Sequence, residues 1–417
     1  MARKKRRRKR IILPKVQTTF CLLSILFIIC CSTYYGIRLV KYYKIYNPKT
    51  EYGEVLLNLS SSIINDSELV TSDDGLHLIN GNYVYKGKNV NNYILVDNIL
   101  FRILRINKDK TIDLVMDDYV NKMAWNEEIT TYKKSDIYKY LNEKILKIFN
   151  QDNLVKTSFC IDPVYELNEI SCDETDNESY IRLLGINDYL NSINDDQTFI
   201  EIENVWLYNH GKNNAWHTTA NYISNSSPNN LYGVLPVITL KNSITYLRGD
   251  GSINNPYIIE DSNEEVKIGT YLDINNDIYI VYEIGDDYYK VESNKVLKEK
   301  RIFDTTSVDY DKSSLKEYLE DTYLDNLKYQ YLLKNVDFNG NKSKIGILSK
   351  DDLKFNSSLN NYYLSDKDGS FISVYNGAVL KSDSNTKRNI RVCLGIKKDL
   401  KIISGNGSKY APFIVEE

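Results

Sequence analysis

His210 and His217 stand seven residues apart in Asn209-His210-Gly211-Lys212-Asn213-Asn214-Ala215-Trp216-His217. Zinc sites are built from closely spaced His, Cys and carboxylate ligands, and neither a carboxylate nor a cysteine lies between these two, so the stretch reads as solvated loop. His77 stands alone. With no base placed near a nucleophile, Ser-His or Cys-His catalysis has no support in the sequence. Cys393, within Arg391-Val392-Cys393-Leu394-Gly395, reads as a small buried apolar residue. Cys160 and Cys172 bracket an eleven-residue loop. In an oxidising compartment a bridge there removes roughly 2–3 kcal/mol of loop-closure freedom from the unfolded chain; two free surface thiols are the alternative.

Carboxylates are plentiful. Asn194-Asp195-Asp196 with Glu201 and Glu203 offers the oxygen ligands that calcium takes, and Asp250 in Gly249-Asp250-Gly251-Ser252 is a sharper candidate. Paired acids for glycoside hydrolysis are defined by their separation in space, and nothing in the sequence selects a pair. Phosphate-cradling glycine patterns are absent. The reading is therefore of no catalytic residue, no metal site and no cofactor. What remains is a contact surface: Trp206, Tyr208, Trp216 and Tyr222 crowd a segment rich in Asn209, Asn213, Asn214, Asn221 and Asn225. Aromatic faces with amide side chains suit carbohydrate or protein surfaces. Trp216, Tyr208, Asn209, Asn213 and Asn214 are the candidate ligand-binding residues, while Trp206, on a strand pattern, reads as core.

The elements that must position them begin after a segment of a different kind. Arg3 to Arg10 is eight consecutive cations, and 16–37 carries no charge at all. At about 1.5 Å per residue that run spans about 33 Å, the thickness of a bilayer core. The charge bias places the N-terminus in the cytoplasm and the rest outside. A cleaved secretory signal is the alternative, with Cys30-Cys31-Ser32 near a cleavage position. Residues 1–50 hold 13 of the 53 Lys and Arg and no acid, so the remainder sets 40 cations against 56 acids. That acidic balance argues against nucleic acid as a partner.

The exterior repeats itself. Val234-Leu235-Pro236-Val237-Ile238-Thr239-Leu240-Lys241, Gly249-Asp250-Gly251-Ser252 and Pro256-Tyr257-Ile258-Ile259 run in the same order as Ile390 to Lys397, Gly405-Asn406-Gly407-Ser408 and Pro412-Phe413-Ile414-Val415. Asp250 is exchanged for Asn406 while both glycines stay, which points to a turn needing positive φ rather than to a charge. In each copy strands come first (93–96, 100–106 and 111–115 in the first), then a helix N-capped by Ser135 or Ser314, then short strands, long loops and a closing strand. A short helix is expected over 55–69.

Three segments carry a resemblance: Asn91-Asn92-Tyr93-Ile94-Leu95-Val96 with Phe101-Arg102-Ile103-Leu104-Arg105-Ile106, then Leu183-Leu184-Gly185-Ile186-Asn187-Asp188-Tyr189, and Trp206-Leu207-Tyr208 leading to Gly233 through Leu240. Together they resemble an uncharacterised family of surface-protein domains of low-GC Gram-positive bacteria that ends G-V-R-P-V-I-x-L. Here Phe101 stands for the family's Trp and Leu235 for its Arg. The resemblance implies a fold similar to C-type-lectin-like and formylglycine-generating-enzyme-like domains.

The resulting expectation is an α+β protein: a basic tail (1–15), one transmembrane signal anchor (16–39) held in the lipid bilayer, a stalk (40–79) and two tandem loop-rich repeats (80–261 and 266–417). It would be a membrane-anchored, single-pass, extracellular binding or adhesion module for an envelope glycan or protein. An envelope enzyme acting on a sugar or peptide polymer and a purely architectural protein are the alternatives.

Overall fold

The computed structural model describes residues 58–416, apart from 129–130, 161, 168–176, 220–221, 260–264, 356–360, 367–370, 376–377 and 384–385. The tail 1–15, the segment 16–39, the first part of the expected stalk and Cys172 lie outside the described residues.

The second part of that stalk is folded. Asn58 caps α1 (Leu59–Asp66), its side chain accepting from the Ser61 N–H. Leu59 and Ile63 bury completely in the first core, and the Leu59 N–H donates to the Ile244 carbonyl at 2.9 Å. After it β1 (Gly75–Ile79) and β2 (Asn82–Lys86) form a hairpin, burying His77 with Nε2 2.9 Å from the Asp73 carbonyl. Residues 58–79 are thus part of the first repeat.

β3 (Tyr93–Val96), β4 (Ile99–Ile106), β5 (Ile112–Met116), β6 (Ile181–Leu183), β7 (Pro236–Leu240), β8 (Tyr246–Arg248) and β9 (Tyr257–Ile259) make one sheet in the order β8-β9-β3-β4-β5-β7-β6, with β1 and β2 attached through β4. The second repeat supplies β10 (Tyr271–Ile274), β11 (Asp277–Ile284), β12 (Tyr288–Ser293), β13 (Ile345–Gly346), β14 (Cys393–Lys397), β15 (Ile402–Ser404) and β16 (Phe413–Val415), in the order β15-β16-β10-β11-β12-β14-β13. Strand for strand the two orders coincide, including the parallel pairs β9–β3 and β16–β10. The hairpin turns Asp97-Asn98 and Asn275-Asn276 both take positive φ at each residue, which matches the twist of a two-residue hairpin. The second hairpin of each repeat carries a register shift at the same place, between Ile103 and Arg105 and between Val281 and Glu283. Just past it Arg105 faces Asp113 and Glu283 faces Lys290. Both pairs close as ion pairs, at 2.6 and 2.9 Å, with their signs exchanged between the copies.

The helical middle departs from a plain α-helix. Ser135 caps α2 (Asp136–Tyr140), accepting from the Tyr138 N–H, and the chain then widens into a π turn over Leu141–Ile145 and a 3-10 turn over Leu146–Ile148. Apolar residues at 137, 141 and 145 recur every four positions, which a 3.6-residue turn lets drift and a wider turn keeps aligned. Beyond it α3 (Ile186–Asn191) follows β6. In the second repeat Ser313, not Ser314, caps the short α4 (Ser314–Glu317), and the same π turn follows over Tyr318–Tyr323.

Two expectations are corrected here. Among the described residues 40% are strand and 16% helix, so the α+β, C-type-lectin-like reading gives way to a β-rich architecture of two large sheets and several small ones. Its helical middle breaks into single turns. Among the same residues no helix is long and apolar enough to cross a membrane, so the expected transmembrane helix and signal anchor find no support among them.

Candidate functional site

The aromatic loop of the first repeat is built mostly inward. Trp206–His210, Ala215–Thr218 and Ile223–Ser226 pair as a three-stranded sheet on which Trp206 and Trp216 both face the core. Trp216 is 5% exposed, and its Nε1 donates to the Val164 carbonyl at 2.9 Å. Its face is therefore unavailable to a ligand, and the same holds for Asn209, whose Oδ1 accepts from the Ile186 N–H at the start of α3. Tyr208 is half-buried against Phe159 and Tyr132, and burial pushes its hydroxyl up to about 12. Asn214 joins Asn225 across the hairpin at 3.0 Å, while Asn213 and Tyr222 are exposed. The group does not form one surface. His210 and His217 are buried on this sheet, each with Nδ1 2.9 Å from the next residue's carbonyl.

Cys160 is disulfide-bonded, and Cys393 is a buried free thiol whose pKa burial raises well above the usual range. Asp250 is a turn residue: its Oδ1 accepts from the Ser252 N–H at 3.0 Å, as Asn406 Oδ1 accepts from Ser408 at 3.0 Å. All four flanking glycines have positive φ. Among the described residues no group of three or more His, Cys, Asp or Glu is placed to hold a metal.

Two buried charge clusters sit inside the repeats. In the first, Arg182 Nη1 reaches Asp188 at 2.6 Å, and Arg105 bridges Asp188 at 3.1 Å and Asp113 at 2.6 Å. Burial opposes the Arg182 charge, but Asp188 and Asp113 outweigh it and hold its pKa above the ordinary value; burial likewise opposes the Asp188 charge, and Arg182 and Arg105 hold that carboxyl low. In the second repeat Arg391 occupies the place of Leu235 and meets Glu292 at 3.2 Å, with Tyr362 hydroxyl 3.3 Å from its Nη1. Charges paired this closely, with Arg105 alone a quarter exposed, answer one another and leave little capacity for a substrate.

Spare capacity appears between the repeats. They join through Lys267 to Asp97 at 2.9 Å, Asn98 Nδ2 to Thr270 Oγ1 at 2.9 Å and Lys409 to Asp118 at 3.3 Å. Beside these contacts lies a cleft of about 50 Å³, floored by Ile99, Leu100, Met116 and Phe355 and edged by Asp117, Asp118, Tyr271 and Lys409. Asp117 is largely buried, with Arg102 Nη1 at 3.9 Å and Tyr410 hydroxyl at 3.5 Å. Arg102 spends shorter bonds on Asn92 and Tyr93, and stacks on the Tyr93 ring 3.8 Å away. Burial raises the Asp117 pKa, with Arg102 and Lys409 opposing it only in part.

Sequence reasoning missed this cleft because Asp118 and Lys409 are 291 residues apart. One available signal was a difference between copies: Lys409-Tyr410 replaces Ile253-Asn254 in a turn whose glycines, serine and proline are retained. No protein family, curated protein or solved structure matches the chain.

Proposed function

We propose that this protein is a non-enzymatic cell-surface binding module whose ligand, an envelope glycan or protein, is engaged at the cleft between the repeats. The observation that supports the reading is the contrast in satisfaction of polar groups. The buried clusters within each repeat are closed ion pairs, whereas the cleft sets long-range, partly paired Asp117 beside an apolar floor, the usual composition of a binding pocket at a domain junction. The uncharged run 16–37 behind eight cations supports association of that end with the bilayer, and the resemblance to bacterial surface-protein domains supports an outward-facing location.

The test is retention of the full chain on cell-wall and membrane preparations, with Asp118→Arg crowding and inverting the mouth of the cleft. Wild type is retained and the variant released. Equal retention of both would move the site elsewhere, and no retention of wild type sinks the binding reading. An envelope enzyme is the second reading, favoured by the raised Asp117 carboxyl next to Asp118. Soluble sugar or peptide fragments released during the same incubation would establish it instead.

A further inference from the structure

We propose that the cleft between the repeats takes a primary ammonium carried on a short alkyl chain, the chemistry of a lysine-type side chain. The inference rests on the binding reading above and names the group that is bound.

The enclosed part of the cleft is small, a few water volumes, which suits the end of a side chain. The floor of Ile99, Leu100, Met116 and Phe355 is apolar, so the part of the ligand lying on it must be hydrocarbon. The polar groups then decide what the hydrocarbon ends in. Asp117 Oδ1 is 3.9 Å from Arg102 and Oδ2 is 3.5 Å from the Tyr410 hydroxyl, both longer than the 2.7–2.9 Å of a charge-assisted bond. Its carboxylate can therefore accept a shorter bond from a cation. Tyr271 lines the same cleft, with its buried hydroxyl in the field of Asp118. Lys409 is paired with Asp118 at 3.3 Å and acts on Asp117 only through space, which leaves the Asp117 carboxylate open to a direct bond from a ligand.

Charge on the larger scale agrees. Beyond residue 50 the chain sets 56 acids against 40 cations, a field that draws cations toward the surface. A carboxylate at the cleft then rejects an anionic group and gains most from an ammonium, which also offsets the cost of having buried Asp117. An alkyl hydroxyl of equal length would satisfy the geometry but not the charge. That difference is what the experiment reads.

Calorimetric titration of the full chain uses three probes: Nα-acetyl-lysine methylamide, 1,5-diaminopentane and the neutral isostere Nα-acetyl-norleucine methylamide. Both ammonium probes bind and the neutral isostere binds at least about tenfold more weakly, as expected for one charge-assisted bond. Tighter binding of the peptide-like probe assigns the group to a protein or peptide, and tighter binding of the diamine to a free polyamine. Asp117→Asn weakens the ammonium probes about tenfold, and Tyr271→Phe weakens them about threefold without touching the charge. Should Asp117→Asn fail to fold, Tyr271→Phe carries the test. Equal affinity for the neutral isostere, or ammonium binding unchanged in both variants, overturns the proposal. If no probe binds while envelope preparations still retain the chain, the ammonium assignment alone falls; if neither binds, the module reading falls with it.

Discussion

Arg391 lies 3.2 Å from Glu292 with both side chains 3% exposed, so the guanidinium's attraction and the burial of the carboxyl pull the Glu292 proton in opposite directions. Burial raises the Glu292 carboxyl from 4.5 to about 7, with Arg391 pulling it back only in part. A carboxyl raised on folding stabilises most below its unfolded value and loses that contribution as pH climbs through its folded value. Unfolding in urea at pH 4.5 and pH 7.5 therefore differs more in wild type than in Glu292→Gln, by on the order of 3 kcal/mol at about 1.4 per unit of pKa. Identical pH dependence in the two proteins would refute this.

The buried four-charge cluster of the first repeat behaves differently, since Arg182 and Arg105 outweigh burial and hold the Asp188 carboxyl low. Arg182→Leu leaves Asp113 and Asp188 with one cation between them and costs about 3–5 kcal/mol in denaturant unfolding. Glu283→Gln, at the partly exposed pair of the second repeat, costs about 1 kcal/mol or less. Similar losses for both substitutions would show that burial is not what separates them.

Trp216→Ala is expected to act on stability. Its indole is packed in the first core and hydrogen-bonded to Val164, so truncation costs about 3–5 kcal/mol. A variant that melts with wild type yet loses ligand would restore Trp216 as a contact residue.

Asp250→Asn is expected to be neutral to within about 0.5 kcal/mol, because Asn406 makes the same bond in the other copy. Gly405→Ala is not: φ there is 97°, and a Cβ would strike the Pro412 carbonyl. Strain of this kind costs about 1–3 kcal/mol. Thermal melts of the two variants side by side check both statements.

Those turns also show what was legible before the structure. Residue spacing located the strands around 93–96, 100–106 and 111–115, the glycine turns and the Ser135 cap, because each depends on local pattern or backbone freedom. It set the second cap one residue late, at Ser314 instead of Ser313. Burial of Trp216 was not legible, since its loop neighbours Lys212, Asn213 and Asn214 are polar and the partner that buries it, Val164, is 52 residues upstream. The same limit hid where α1 packs: a short helix over 55–69 is legible, but only Ile244, far along the chain, gives Leu59 and Ile63 a core to join instead of a stalk. The cleft needed two long-range facts at once, the side-by-side packing of the repeats and the Lys409-Tyr410 exchange within a retained turn.

The exchanged signs of Arg105–Asp113 and Glu283–Lys290 bear on how such a chain avoids misassembly. Two copies with one strand order are able to trade strands during folding, a common failure of tandem relatives. Were β4 to dock on β12, Arg105 would meet Lys290; were β11 to dock on β5, Glu283 would meet Asp113. Like charges opposed across a ladder are unfavourable, so each hairpin rejects its sibling's strand and accepts only its own.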